Sequence, residues 1–216
     1  MPLARLGNGW LPRIERVLRE APASCGLSFT PPPEVLPQLV TWLDLVVAWS
    51  ERVDLTAARD ADTLVDLLLA DAALLASTGP TGSAIDVGSG VGAPAIPLAI
   101  LRPELTLTLV EPRERRAAFL RTSCGSLSRP DIQLLRMRST QVGTGIAELA
   151  LSRATLPPPL WLREGVRLAQ REVWVLLGQD EPPAALASWH RDLDLSYDWP
   201  LTGGRRRAVR YVRDRD

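Results

Sequence analysis

The segment Asp86-Val87-Gly88-Ser89-Gly90-Val91-Gly92 is where residue types and spacing point most directly to chemistry. Glycines at alternate positions make a loop whose backbone a ligand can approach closely. One carboxylate, Asp86, lies two residues before the first glycine; a second, Glu111, follows Gly88 by 23 residues. A carboxylate at that distance, ending the next strand, can accept both hydroxyls of a ribose. Asp86 constrains the rest of the ligand. It would repel a diphosphate and attract a cationic sulfonium with an amino-acid head. The spacing is G-x-G-x-G and not the G-x-G-x-x-G of dinucleotide folds. Charge and spacing together favour S-adenosylmethionine over a dinucleotide; the plain alternative is a glycine turn with no ligand.

Such a loop needs a strand before it and a helix after it, and the sequence predicts both. The chain has 216 residues, 46% hydrophobic and 23% charged, which is a globular composition with a real core. No apolar run reaches membrane-spanning length, because Asp66 and Asp71 interrupt the densest stretch. The N-terminus reads as no secretory signal. Cys25 and Cys124 are too few for a disulfide framework, and with one histidine, His190, the expectation is no metal site. Together these readings predict a cytoplasmic protein with reduced thiols and no membrane contact.

All 25 basic residues are Arg and balance 25 acidic ones. Residues 203–216 carry six Arg against two Asp. That tail suits either a polyanionic partner or a solvated edge strand.

The pattern changes near Gly79 to Gly82. Before it, helices are predicted over residues 11–19, over 35–49 with Leu36, Leu39, Val40, Leu43, Val46 and Val47 as an apolar stripe, and from an Asp60 or Asp62 cap to residue 76. After it, strands (83–87, 105–110, 132–135, 149–151, 173–177, 193–199 and 207–212) alternate with helices (95–101, 113–124, 160–170 and 184–190). That alternation predicts an α/β fold with a mainly parallel sheet. The last two strands flank Gly203-Gly204 and should form an antiparallel hairpin. Residues 1–82 thus read as a helical extension packed on a core of residues 83–216, together one compact unit.

Four stretches resemble the glucose-inhibited division protein B family, the 16S rRNA guanine-N7 methyltransferases. Trp49-Ser50-Glu51-Arg52-Val53-Asp54-Leu55-Thr56 resembles its W-x-x-x-x-N-L-T. Residues 86–100 resemble its D-V-G-x-G-x-G-x-P-x-I-P-L-x-I, with Pro94 and Pro97 in place. Glu111 and Arg115-Arg116-Ala117-Ala118-Phe119-Leu120 resemble the acid and K-R-x-x-F-L that follow, and Ser152-Arg153-Ala154 its S-R-A. The departures lie mostly among polar residues that would face RNA or the reacting base. Asp54 stands for Asn, Leu67-Leu68 for an Arg-His pair, Arg138-Ser139-Thr140-Gln141 for an acidic segment, and Leu177-Gly178 for Lys-Gly.

The resemblance implies a Rossmann-like class I methyltransferase fold using S-adenosylmethionine, with RNA of the small ribosomal subunit as partner. Its cofactor loop would be Asp86, Gly88, Gly90, Gly92 and Ala93. Glu111 would hold the ribose, Ser139 and Thr140 the adenine, and Arg153 the methionine end or the substrate. No catalytic residue is assigned. Guanine N7 attacks through a free lone pair and needs no general base, so the enzyme has chiefly to align it. Cys124, at the end of a helix, reads as a small buried residue and not the thiol that cytosine C5 methylation needs. His190 reads as a surface or half-buried residue on a late helix. Two rival readings remain: a family relative that binds the cofactor without methylating rRNA, and a nucleotide-dependent oxidoreductase. The sequence leaves the oligomeric state open.

Overall fold

The computed structural model describes residues 3–214; Arg215 and Asp216 of the basic tail lie outside them. Helix α1 (Leu11–Ala23) starts with a proline in its first turn, where the missing N–H costs nothing, and buries Ile14, Val17, Leu18 and Ala21 at helical spacing. Helix α2 (Leu36–Ser50) buries the predicted stripe from Leu39 to Val47 and Trp42 as well.

Asp60 caps the third helical stretch, its carboxylate accepting from the Thr63 N–H at 2.8 Å. That stretch is not one α-helix. It runs as α3 (Ala61–Val65), a π-helical turn (Asp66–Ala70) and α4 (Asp71–Ser77). A π turn shifts the hydrogen-bond ladder, and the groups in it have outside partners. The Leu67 carbonyl accepts from Arg153, and the Asp66 carboxylate accepts from the backbone of Leu201 and Thr202.

Seven strands follow: β1 (Ser83–Val87), β2 (Thr106–Val110), β3 (Gln133–Leu135), β4 (Ala147–Arg153), β5 (Ala169–Leu177), β6 (Trp189–Asp198) and β7 (Arg205–Arg213). Between them lie α5 (Ala95–Leu101), α6 (Glu114–Ser126) and α7 (Pro158–Leu168). The sheet order is β3-β2-β1-β4-β5-β7-β6. The five strands from β3 to β5 are parallel, while β7 pairs antiparallel with β5 and β6. This is the mainly parallel sheet with a C-terminal hairpin that the alternation predicts.

Side chains alternate across the sheet. Ala84, Leu107, Leu109, Leu149, Leu151 and Trp174 face a cluster built with α1, α2, the α3–α4 stretch and α5. Ile85, Val87, Ala150, Val173 and Val175 face a second cluster with Trp161 and Leu162 of α7.

One expected element is wrong. Residues 184–190 form no helix; the chain is irregular up to Ser188, and Trp189 and His190 open β6 opposite Arg213 and Val212. A short Ala-containing run after Pro182-Pro183 cannot nucleate a helix against a nine-residue partner strand. His190 therefore sits on an edge strand, exposed, with Nδ1 2.6 Å from the Asp214 carboxylate. A register shift between Arg191 and Leu193 puts Trp189 in one cluster and Leu193, Leu195 and Tyr197 against the other.

Candidate functional site

The parallel strands β1, β2 and β4 end together at one edge of the sheet, with the glycine loop laid across them. The N–H groups of Gly88 and Ser89 both donate to the Val110 carbonyl, at 2.8 and 3.2 Å, tying the loop to the end of β2. Gly88 has φ +70°, and a Cβ there would lie 2.2 Å from Thr155 Oγ1, so both conformation and space demand glycine. Gly90 has φ +57° and open surroundings, the nearest atom to a Cβ lying at 3.7 Å. Its N–H is already committed, donating to Glu111 Oε2 at 2.9 Å.

Glu111 is buried at the end of β2 and also accepts from the Arg113 N–H, at 2.8 Å on Oε1. Each carboxylate oxygen keeps lone-pair capacity for a further donor. Asp86, at the end of β1, is 1% exposed, and its Oδ2 has no hydrogen-bond partner. Burial pushes its carboxyl up to about 7; the Ser89 hydroxyl and the Arg153 guanidinium pull the other way, and the Glu111 charge adds to the rise. A buried carboxylate oxygen without a donor is costly and calls for a cation or an N–H donor beside it. That donor set fits a ligand with an ammonium or sulfonium centre and a ribose, and fits a diphosphate poorly.

Two clefts flank the loop. One, about 460 Å³, is lined by Gly88, Gly90, Ala93, Glu111 and Arg153. The other, about 610 Å³ and largely apolar, lies between β1, β2 and α7 and takes in Gly88, Ser139 and Thr140. Gly88, Pro112 and Thr155 line both, so an elongated ligand can bridge them across Gly88. Of the residues singled out from sequence, Asp86 and Gly92 do not reach either cleft wall. Asp86 lies buried at the end of β1, and a Cβ at Gly92 would meet Ile96 at 2.5 Å.

Arg153 closes the far side. Nη1 donates to Asp71 Oδ2 at 3.0 Å and to the Leu67 carbonyl. Asp71 in turn accepts from the Tyr197 hydroxyl of β6. Burial and the Asp71 charge hold the Tyr197 phenol well above its ordinary range, so it acts as a fixed donor. This chain fixes Arg153 from three elements distant in sequence.

Thr155, Arg116 and Leu67 were not singled out. Thr155 Oγ1 donates to the Val87 carbonyl at 3.1 Å and packs against Gly88. Its position two residues after Arg153 was the available signal. Arg116 lies in the quoted Arg-Arg-Ala-Ala-Phe-Leu stretch; it donates to the Asp54 carbonyl at 3.0 Å, joining that segment to the α2–α3 connection. Among the described residues no cluster of His, Cys, Asp or Glu could hold a metal, and no helix is long and apolar enough to cross a membrane.

The strand order, with its parallel core, antiparallel hairpin and cleft at the strand ends, defines the class I S-adenosylmethionine-dependent methyltransferase fold. Solved structures share it. One is an S-adenosylmethionine-dependent methyltransferase from Aquifex aeolicus (TM-score 0.51, 13% identity, 68% of this chain and 91% of that one). Another is TrmN from Thermus thermophilus (TM-score 0.51, 16% identity, 78% of this chain and 52% of that one).

Residues 35–157 match the family model described as rRNA small subunit methyltransferase G, and the chain belongs to that family. Relatives named ribosomal RNA small subunit methyltransferase G include one from Chloroflexus aggregans, 37% identical over 136 residues (62% of this chain, 56% of the relative). One from Anaeromyxobacter sp. is 30% identical over 163 residues (72% and 75%). The matched part spans 56% of the Chloroflexus aggregans relative's length, and 54% and 58% of two others with the same name, from Methylobacillus flagellatus and Halorhodospira halophila.

Proposed function

We propose that the chain is an S-adenosylmethionine-dependent methyltransferase that methylates N7 of a guanine in 16S rRNA of the small ribosomal subunit, working in the cytoplasm. The observation that carries this is the cleft at the strand ends lined by the glycine loop and Glu111, with the buried Asp86 carboxylate behind the loop. When bound, S-adenosylmethionine supplies a methyl group activated on a sulfonium.

Asp86, buried behind the loop, would act on that cation only through its charge and not by contact. Glu111 offers lone pairs to the ribose hydroxyls. The open backbone at Gly90 and the small side chain of Ala93 let the donor lie close to the chain, beside Gly88. Ser139 and Thr140 border the apolar cleft that suits adenine, and Arg153 walls the methionine end. Guanine N7 would accept the methyl through a free lone pair, so the chain's own groups have to hold and align donor and acceptor and none has to take a proton. The helical residues 1–82 serve as an extension packed on the core 83–216, supplying Asp71 and the Leu67 carbonyl that hold Arg153.

The departures from the family support a second reading, a relative that binds the cofactor without methylating rRNA. Leu68, at the position of the family's histidine, is fully buried and cannot meet a substrate, and Leu67 offers Arg153 only its carbonyl. Transfer of tritiated methyl from the donor to 30S subunits lacking the modification separates the two. The first reading expects incorporation at a single guanine, with the label at a site that borohydride and aniline cleave. No incorporation by protein that binds S-adenosylhomocysteine would favour the second.

A further inference from the structure

Beyond the donor cleft, Leu67, Arg153 and Ala154 also line a separate pocket of about 300 Å³ on the other side of Arg153. Its outer wall is Trp199 and Arg206 of the β6–β7 hairpin, and Asp180, after β5, stands at its mouth. The volume lies at the low end of the range for small-ligand pockets. None of these three outer residues falls within the segment matched to the family.

Arg206 differs from its neighbours. Arg207 is held by Asp194 at 2.6 Å and by Glu181 at 3.2 Å, and Arg205 points out beside Asp198 at 3.9 Å. Among the described residues no carboxylate lies within 4 Å of Arg206. Its guanidinium instead sits 3.7 Å from the centre of the Trp199 ring, with Nη1 donating to the Arg205 carbonyl at 2.7 Å. Trp199 is itself buried and backed by Gly204, where a Cβ would lie 3.2 Å from the ring. The result is a guanidinium held over the face of a buried indole. Arginine planes of this kind accept a nucleobase on the free face. Asp180 has no cation within 4 Å among the described residues, and an acceptor-only carboxylate suits the adjacent N1–H and N2–H donors of guanine, which adenine lacks.

We propose that this pocket receives the acceptor guanine, stacked on Arg206 with Asp180 on its Watson–Crick edge, and that Arg153 borders the base where the pocket adjoins the donor cleft. The proposal rests on the methyltransferase reading above. It leaves the N7 edge of the base free for the side facing the donor cleft.

The test uses the full chain and two ten-nucleotide single-stranded RNAs, one with a single central guanine and the other with adenine in its place. Anisotropy measures RNA binding in the presence of S-adenosylhomocysteine, and calorimetry measures S-adenosylhomocysteine itself. Stacking of one base is worth about 1–3 kcal/mol, so Arg206→Ala should weaken binding of the guanine RNA about fivefold or more. Its S-adenosylhomocysteine affinity should stay within about twofold, which also reports an intact fold. Arg206→Lys, which keeps the charge and loses the plane, should fail as badly as Arg206→Ala. Asp180→Asn should bring the two RNAs to equal affinity by weakening only the guanine one.

Wild-type affinity in Arg206→Ala, rescue by Arg206→Lys, or an unchanged guanine preference in Asp180→Asn would overturn the proposal while leaving the donor site standing. So would loss of S-adenosylhomocysteine binding in Arg206→Ala alone, because the two pockets would then not be separate. Failure of the wild type to bind S-adenosylhomocysteine would instead remove the methyltransferase reading and this one with it.

Discussion

The two edges of the cleft handle charge in opposite ways. At the β1–β2 edge the buried groups are carboxylates. Glu111 is satisfied by the N–H groups of Gly90 and Arg113, while Asp86 is left with an oxygen unpaired. At the β4–β7 edge the groups are guanidiniums. Arg153 is pinned by Asp71 and the Leu67 carbonyl, and Arg206 is laid on Trp199. One edge is prepared for a cation and the other for an electron-rich, polyanionic ligand. On the methyltransferase reading proposed above, the first would face the sulfonium and the second the RNA.

The largest expected effect tests the guanidinium edge. Asp71→Ala removes the shared partner of Arg153 and Tyr197 and leaves a largely buried guanidinium unpaired. Breaking such a pair costs about 3–5 kcal/mol. Urea unfolding should show an unfolding free energy lower by that amount, and Asp71→Asn, which can still accept from Tyr197, should lose less. Equal stability of Asp71→Ala and wild type would mean the network holds nothing.

Gly88→Ala tests the opposite edge. The positive φ and the 2.2 Å approach to Thr155 force the loop to move. Strain of about 1–3 kcal/mol should appear as a tenfold or greater loss in S-adenosylhomocysteine affinity by calorimetry. The added substitution Thr155→Ala should recover part of it.

Asp86 sharpens the comparison through pH. Its folded pKa, about 7, lies above the ordinary 3.8. Between pH 4 and 7 the folded state therefore holds a proton that the unfolded chain has released. The contribution of this group to stability is full below about pH 4, falls as pH rises through that window, and is flat above 7. The whole change is roughly 4 kcal/mol. Asp86→Asn should flatten that part of the stability profile and be the more stable protein at pH 8. A cationic ligand selects the ionised form. Wild-type affinity for S-adenosylmethionine should thus weaken as pH falls through about 7, whereas the Asn variant should lack that dependence. Parallel profiles for the two proteins would remove Asp86 from the site.

The smallest effect is expected away from both edges. His190→Ala breaks only an exposed pair with Asp214 and should change stability by less than about 1 kcal/mol, with methyl transfer unaltered.

Most of the carboxylate edge is legible in the sequence because it is local. Asp86, the three glycines and Glu111 lie on consecutive strand–loop units, where alternation and glycine spacing fix the geometry before any long-range packing. The guanidinium edge is not legible in this way. Arg153, Tyr197 and the pair Leu67 and Asp71 come from three separate places in the chain, and only packing brings them together. Even Leu67, visible as a departure from the family pattern, acts through its backbone in a π turn that side-chain periodicity cannot announce. The hairpin shows the same limit. Its strands are readable by alternation, but the bulge after Arg191 and the strand residues Trp189 and His190 depend on pairing with β7, and a helical reading of residues 184–190 fails there.

The most direct test of the central claim is calorimetry of the wild-type chain at pH 8 with S-adenosylhomocysteine, S-adenosylmethionine and NAD in turn. The account predicts one site for each of the first two compounds, tighter for the cationic donor than Asp86→Asn can achieve, and no heat with NAD. Binding of NAD with none of either S-adenosyl compound would contradict it.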